Sequence, residues 1–322
     1  MTTNGRIVGI GHALVDVLAP VDASVVERHS LRTGGMHLVD AAAADRLYAE
    51  VGPGVTQSGG SVANTMAHLA VDGHASTFVG RVAGDDLGRA FGDDLARLGV
   101  DFPAAPAPAA PGPLDDLATG RCVVLVTPGG ERTMSTFLGR ASTLSPADAA
   151  SIPDDAGWLI VEGYVFDAPR GPEAIAAAVE RAREIGAKIV LTPSDAGCVD
   201  RHLAAMQAFV TRPCDVLIGN EEEMRALSGA ATPAEALDWA AAHAETACVT
   251  LSSAGAMAAQ GPLRTAVPAV DGVSVVDTTG AGDAFAAGFV GALARGQDIE
   301  AAATAGCAIA ARVITHMGAR NH

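Results

Sequence analysis

Apolar residues in this chain follow two rhythms. From residue 157 onward, short continuous apolar runs alternate with longer stretches of helical period. WLIVEGY (158–164), AKIVLTPS (187–194), DVLIGN (215–220) and TACVTLSS (246–253) read as strands. Residues 172–185, 199–210, the stretch opening with EEEMRAL and 233–243 read as helices between and after them. Strands apolar on both faces, alternating with helices, predict a largely parallel sheet covered on both sides. Two extended pieces follow, AMAAQ and LRTAVPAV. The end of the chain reads as helical around 281–295 and 299–316.

The first half is less regular. RIVGIGHALVDVLA (6–19) reads as a buried strand broken at glycines. GSVANTMAHLAVD (60–72) places Val62, Met66, Leu69 and Ala70 at helical spacing, and STFVGRVA (76–83) returns to strand character. Residues 85–99 put Leu87, Phe91, Leu95 and Leu98 on one face and stop at Gly99. PAAPAPAAPGPLDD (103–116) is too rich in proline for regular structure and reads as a surface insertion without an assignable role. GRCVVLVT (120–127) and ERTMSTFL (131–138), joined by Pro128-Gly129-Gly130, give a hairpin signal. No internal repeat is visible, so residues 1–322 read as a single domain.

Composition narrows the chemistry. With 322 residues, 49% of them apolar and only 4% aromatic, the chain can bury a large, mainly aliphatic core. A net charge of −16 argues against nucleic acid or an anionic membrane as partner. It leaves room for a phosphate held locally by backbone N–H groups. Lys188 is the single lysine and no GxxxxGK[ST] occurs, so Schiff-base and P-loop chemistry have nowhere to sit. Five cysteines without a CxxC pair read as reduced thiols of a cytoplasmic protein. Neither a secretion signal nor an apolar run of ~18 residues is present. The histidines lack HxxxH or HExxH spacing. Gly9-Ile10-Gly11-His12-Ala13-Leu14 only half-matches GxGxxG, because the third glycine is missing.

The most informative stretch is DTTGAGDAFAAGF (277–289). Gly280-Ala281-Gly282 should form a tight turn with exposed N–H groups at a helix start, an anion-binding arrangement. Asp283 then lies in the first turn, beside those amides. Two readings follow from the residues alone. Asp283 caps the helix, or it takes a proton from a hydroxyl that attacks a phosphorus held by the amides.

The whole string closely resembles the signature of PfkB-type carbohydrate and nucleoside kinases, the ribokinase-like family. Further segments agree across nearly the whole chain. Gly59-Gly60-Ser61-Val62-Ala63-Asn64 is similar to the family's N-terminal signature, and Asn220-Glu221-Glu222-Glu223 to its N-x-x-E motif. MHLVD, SGGSVANT, GERTMSTFLG, EGYVFDAP and SDAGCVDR look like the bacterial adenosine-kinase-like branch. Relatives continue past the GAR segment with an extended piece and a helix, whereas this sequence stops at GARNH.

The resemblance implies a ribokinase-like α/β fold, with a small β lid built from about residues 12–40 and 119–140. It implies ATP and Mg²⁺, and a nucleoside 5′-hydroxyl as acceptor, adenosine first. Asp283 would be the catalytic base, with Gly280, Ala281 and Gly282 as the anion hole and Arg132 reaching the transferring phosphate from the lid. Asp16, Gly59, Gly60 and Asn64 would hold the sugar, and Met36, Leu138 and Tyr164 would wall the base. Asn220, Glu223, Thr250, Ser252 and Gly255 would meet the nucleotide. Glu223 would hold Mg²⁺ through water, and Asp277 and Thr279 match positions that hold K⁺. A sugar kinase acting on ribose, fructose or a keto-deoxy acid, and a non-catalytic nucleoside-binding protein, stay open; a dehydrogenase is more remote. The protein is expected to act as a monomer or homodimer.

Overall fold

The computed structural model describes residues 5–52, 54–103, 117–128 and 131–320. The insertion at 103–116 lies almost wholly outside these residues, as do Gly129 and Gly130 of the expected hairpin turn.

Fourteen strands can be followed among the described residues: β1 (Arg6–Ile10), β2 (Leu14–Pro20), β3 (Met36–Leu38), β4 (Val55–Gly59), β5 (Ser76–Val79), β6 (Val100–Asp101), β7 (Gly120–Val126), β8 (Arg132–Phe137), β9 (Ala156–Glu162), β10 (Lys188–Thr192), β11 (Val216–Asn220), β12 (Thr246–Thr250), β13 (Ala256–Gln260) and β14 (Leu263–Val267). Nine of them form one sheet in the order β14-β13-β12-β11-β10-β9-β1-β5-β6. From β12 to β6 every pairing is parallel; β13 and β14 add an antiparallel edge. The apolar strands explain the layering. On β9, Trp158 and Ile160 enter a core with Met66, Phe285 and Phe289. Leu159 and Val161 face the opposite core, with Ile175, Val199 and Met224. A strand buried on both faces cannot alternate polar and apolar residues, which is why these segments read as continuous runs.

The run at 6–19 divides at Gly11-His12-Ala13. Its first part is β1 of the large sheet, and its second part is β2 of a five-stranded sheet ordered β3-β8-β7-β2-β4. This smaller sheet includes β4, outside the segments 12–40 and 119–140 expected to build it. One of its faces packs Ala19, Val123 and Leu125 on Val25, Val26 and Leu47 of helices Ala23–Arg28 and Ala41–Val51. Those helices were not expected, although Asp22 and Asp40 cap them by accepting from the Ser24 and Ala43 amides. Strand periodicity turns the alternate residues Leu14, Asp16, Met36, Leu38, Met134 and Thr136 to the other face.

The chain runs outward from β1 to β5 and β6, then returns to build β9 to β12 on the other side. Strand order therefore reverses between β1 and β9. In such sheets a crevice opens beyond the carboxyl ends of the strands at that point.

Candidate active site

A cleft of about 440 Å³ opens at this reversal, between the strand ends and the exposed face of the smaller sheet. Helix Ala281–Ala294 points its N-terminus into it. Gly280 begins the helix in the left-handed region, at φ 73°, and no side chain caps it. The Gly282 and Asp283 amides find no acceptor among the described residues. The turn is pressed against Ala319, whose Cα would lie 2.7 Å from any Cβ at position 280.

Asp283 does not cap its own helix. Its Oδ1 accepts from Ser61 Oγ at 2.6 Å and its Oδ2 from Asn64 Nδ2 at 3.0 Å, both on helix Ser61–Val71. Its backbone oxygen accepts from Thr65 Oγ1 at 3.2 Å. Asn64 cannot turn its amide freely, because its Oδ1 accepts from Arg320 Nε at 2.8 Å. Arg320 is buried; its guanidinium also donates to Ser58 Oγ at 2.8 Å and to the Ser58 carbonyl, and reaches Asp94 at 3.3 Å. The chain Arg320–Asn64–Asp283 thus aims one carboxylate into the cleft. Asp283 is half-buried and borders the cleft, where protein surrounds its carboxylate. That desolvation pushes Asp283 up to about 6, against the hydrogen bonds from Ser61 and Asn64 and the charge of Arg320.

Asp16 faces the same space without a hydrogen-bond donor among the described residues. Desolvation pushes it up to about 7, opposed by Arg320 and Arg132 and reinforced by Asp283. Gly59 lies directly behind it: a Cβ there would come within 2.4 Å of the carboxylate. Gly60, at φ 96°, sits where a Cβ would be 2.2 Å from the His12 carbonyl oxygen. Both glycines let the loop approach closely, but only Gly60 lines the cleft.

Arg132, at the start of β8, lies beside the anion turn. Its Nη1 donates to Thr279 Oγ1 at 2.6 Å and its Nη2 pairs with buried Asp277. Asp277 also accepts from the Thr279 amide at 2.9 Å and the Gly318 amide at 2.6 Å. It does not border the cleft. Asp277 thus ties together Arg132, the turn and the segment 318–320.

Asn220 and Glu223 close into a capping box. Asn220 Oδ1 accepts from the Glu223 amide at 2.9 Å, and Glu223 Oε2 accepts from the Asn220 amide at 3.1 Å. Glu223 is buried at the cleft edge, and desolvation pushes it up to about 7. Met36, Leu138 and Tyr164 all border the cleft, with Leu14, Leu38 and Met134 completing an apolar wall. Thr250, Ser252 and Gly255 do not: Thr250 ends β12, and the other two lie in the turn that follows it.

Several groups at the site carry no role in the sequence reading. Ser61 and Glu162 are among them, each inside a segment with a recognisable pattern but without a local signal of its own. Glu162 is buried between the amides of Val62 and His12, at 3.0 and 3.3 Å. Burial pushes it up to about 8. Asp167 also borders the cleft and gathers Cys198 and His202, which lie four residues apart on helix Ala196–Thr211. Arg201 already grips both Asp167 oxygens, at 3.0 and 2.8 Å, so the cluster is satisfied as an ion-pair network.

The pfkB family carbohydrate kinase pattern matches residues 6–322. The chain belongs to that family. Membership implies an ATP-dependent kinase acting on a nucleoside or sugar, usually with Mg²⁺. Two solved structures share its fold closely. A probable sugar kinase from Rhizobium etli is 35% identical at a TM-score of 0.90, covering 99% of this chain and 96% of that one. Adenosine kinase from Sinorhizobium meliloti is 35% identical at a TM-score of 0.89, with the same coverage. The guanosine-inosine kinase of Escherichia coli is 28% identical over 259 residues, 74% of this chain. This chain spans only 57% of that relative's length. No helix among the described residues is long and apolar enough to cross a membrane.

Proposed function

We propose that this kinase transfers the γ-phosphoryl group of ATP to the 5′-hydroxyl of a nucleoside, adenosine first. The observation that carries the reading is a pair of carboxylates in one cleft. Asp283 is aimed by Ser61 and Asn64 beside unpaired helix amides, and Asp16 stands unpartnered beyond an apolar wall. An ionised carboxylate accepts two hydrogen bonds, which suits Asp16 to the vicinal diol of a ribose. Leu14, Met36, Leu38, Met134 and Leu138 then offer a surface for a flat heterocycle, for which a free sugar has no use.

In that pose Asp283 takes the proton of the 5′-hydroxyl as the hydroxyl oxygen attacks the γ-phosphorus, and the bond from that phosphorus to the β,γ-bridging oxygen breaks, releasing ADP. The Gly282 and Asp283 amides and the helix dipole hold the charge that spreads over the phosphoryl oxygens, and Arg132, paired with Asp277, brings its guanidinium next to the turn. Asn220 and Glu223 fit a water-held Mg²⁺, because both are hard oxygen donors and a nearby cation would relieve the buried Glu223. When bound with the nucleotide, that ion neutralises phosphate charge.

A coupled ADP-release assay across adenosine, guanosine, inosine, ribose and fructose, with and without K⁺, tests the proposal. Nucleosides should lead, with kcat/KM for adenosine at least tenfold above that for ribose. The reverse order would make the protein a sugar kinase. Nucleoside binding with no ADP release from any acceptor would make it a binding protein on a kinase scaffold.

The pH profile is a second check. Asp283 must be ionised to act as a base, and Asp16 to clamp the diol. Both are raised, so protonation removes activity from below: kcat/KM should fall as pH drops through about 7 and about 6. A profile that stays flat from pH 5 to pH 8 would contradict these roles.

A further inference from the structure

Ser61 opens helix Ser61–Val71 but does not cap it. Its hydroxyl donates instead to Asp283 Oδ1 at 2.6 Å. Nothing among the described residues donates to the Ser61 oxygen, so its lone pairs stay free. The residue is half-buried and borders the cleft together with the turn 280–282. Its backbone is pinned on three sides. Gly60 before it turns at φ 96°, the Val62 amide after it donates to Glu162 at 3.0 Å, and its own carbonyl accepts from Thr65 Oγ1 at 3.3 Å. A serine hydroxyl therefore stands against the base, at the mouth of the unpaired amides, before any acceptor arrives. Asn64 steadies the other carboxylate oxygen with an amide nitrogen, which is no nucleophile. Ser61 does so with a hydroxyl, which becomes one as its proton leaves.

We propose that, with ATP bound and no acceptor present, the kinase phosphorylates its own Ser61. Asp283 takes the Ser61 proton as Oγ bonds to the γ-phosphorus. The bond from that phosphorus to the β,γ-bridging oxygen breaks, releasing ADP and leaving a phosphoserine. The new group carries a charge of about −1.5 to −2 beside the Asp283 carboxylate. It fills the approach of an acceptor hydroxyl to the base, so the modified chain no longer turns over. An incoming 5′-hydroxyl needs the same proton acceptor, so acceptor and Ser61 compete and substrate protects the enzyme. The proposal rests on Asp283 as the base of the proposed reaction and adds a second activity to that site.

The test incubates the full chain with Mg-ATP and no acceptor and follows the intact protein by mass spectrometry. Wild type is expected to gain about 80 Da, one phosphoryl group, and fragmentation should place it on Ser61. Saturating adenosine should suppress the gain, and Asp283→Asn should slow it on the order of 10²–10⁴-fold. Adenosine turnover measured after the incubation should fall in proportion to the modified fraction. Ser61→Ala should lose the label. Should that variant fail to fold, Ser61→Thr keeps a hydroxyl and should keep the label at the same position. If wild type phosphorylates adenosine but gains no mass, gains it at another residue, or gains it undiminished under saturating adenosine, Ser61 only aims the base. The inference is then overturned while the nucleoside reading stands. If wild type gains the label but phosphorylates no nucleoside, the inference stands and the nucleoside reading falls. With neither, both fall.

Discussion

Asp283→Asn is expected to lower turnover on the order of 10²–10⁴-fold, the range for loss of a general base, while adenosine affinity stays within a few-fold. Asparagine is nearly isosteric and its Oδ1 can still accept from Ser61 or Asn64, so the helix start and the cleft keep their shape. What is lost is the capacity to take a proton. Positioning and charge stabilisation by the amides and Arg132 persist, and they supply most of the acceleration in a loose phosphoryl transfer; hence a residual rate above background should survive. Stopped-flow turnover paired with calorimetric binding reads both quantities. Near-normal turnover would remove Asp283 from the base role. Loss of binding in proportion to turnover would make it a substrate ligand instead.

Arg320→Met should be the most damaging change to the fold. Arg320 is 3% exposed and serves Asn64, Ser58 and Asp94 at once. Breaking a buried pair by removing one partner costs about 3–5 kcal/mol. The lower end applies here, because Asp94 keeps Arg97 at 2.6 Å and the Ser58 amide at 3.1 Å. Denaturant titration measures that loss. A second readout separates positioning from bulk: the Arg320 charge lowers Asp16 and Asp283, so removing it should move the acid limb of kcat/KM to higher pH. Arg320→Lys restores the charge but not the fork, and should return the limb while recovering only part of the stability. A limb that does not move in Arg320→Met would reduce Arg320 to a packing residue.

The contrast between Asp283 and Arg320 shows what a sequence can and cannot carry. The run DTTGAGDAFAAGF contains a local instruction: small residues, a left-handed turn, a helix start and an acid within one turn. The structure places each of them where local chemistry puts them. The parallel strands were legible for the same reason, since burial on both faces writes itself as an unbroken apolar run. Arg320 has no local signal. Its partners Ser58 and Asn64 lie 262 and 256 residues away, and a lone arginine in a loop reads as solvated. Ser61 is hidden differently, inside the Gly-Gly signature, and only the meeting of helices Ser61–Val71 and Ala281–Ala294 brings its hydroxyl to Asp283. Asp277 was read from its position in the signature, but the pairing with Arg132 depends on how the smaller sheet meets the anion turn. The same limit applies to β4, a short polar strand that belongs to its sheet only because β2 runs beside it.

The most direct measurement is the identity of the product. Wild-type protein, Mg-ATP and adenosine are incubated together and the mixture is read by phosphorus NMR. Nucleoside 5′-monophosphate is expected in step with ADP, its phosphorus resonance split into a triplet by the two 5′ protons. Inorganic phosphate in place of the ester, or a phosphate on the 2′ or 3′ oxygen that Asp16 is meant to hold, would contradict the assignment of Asp283 as the base that activates the 5′-hydroxyl.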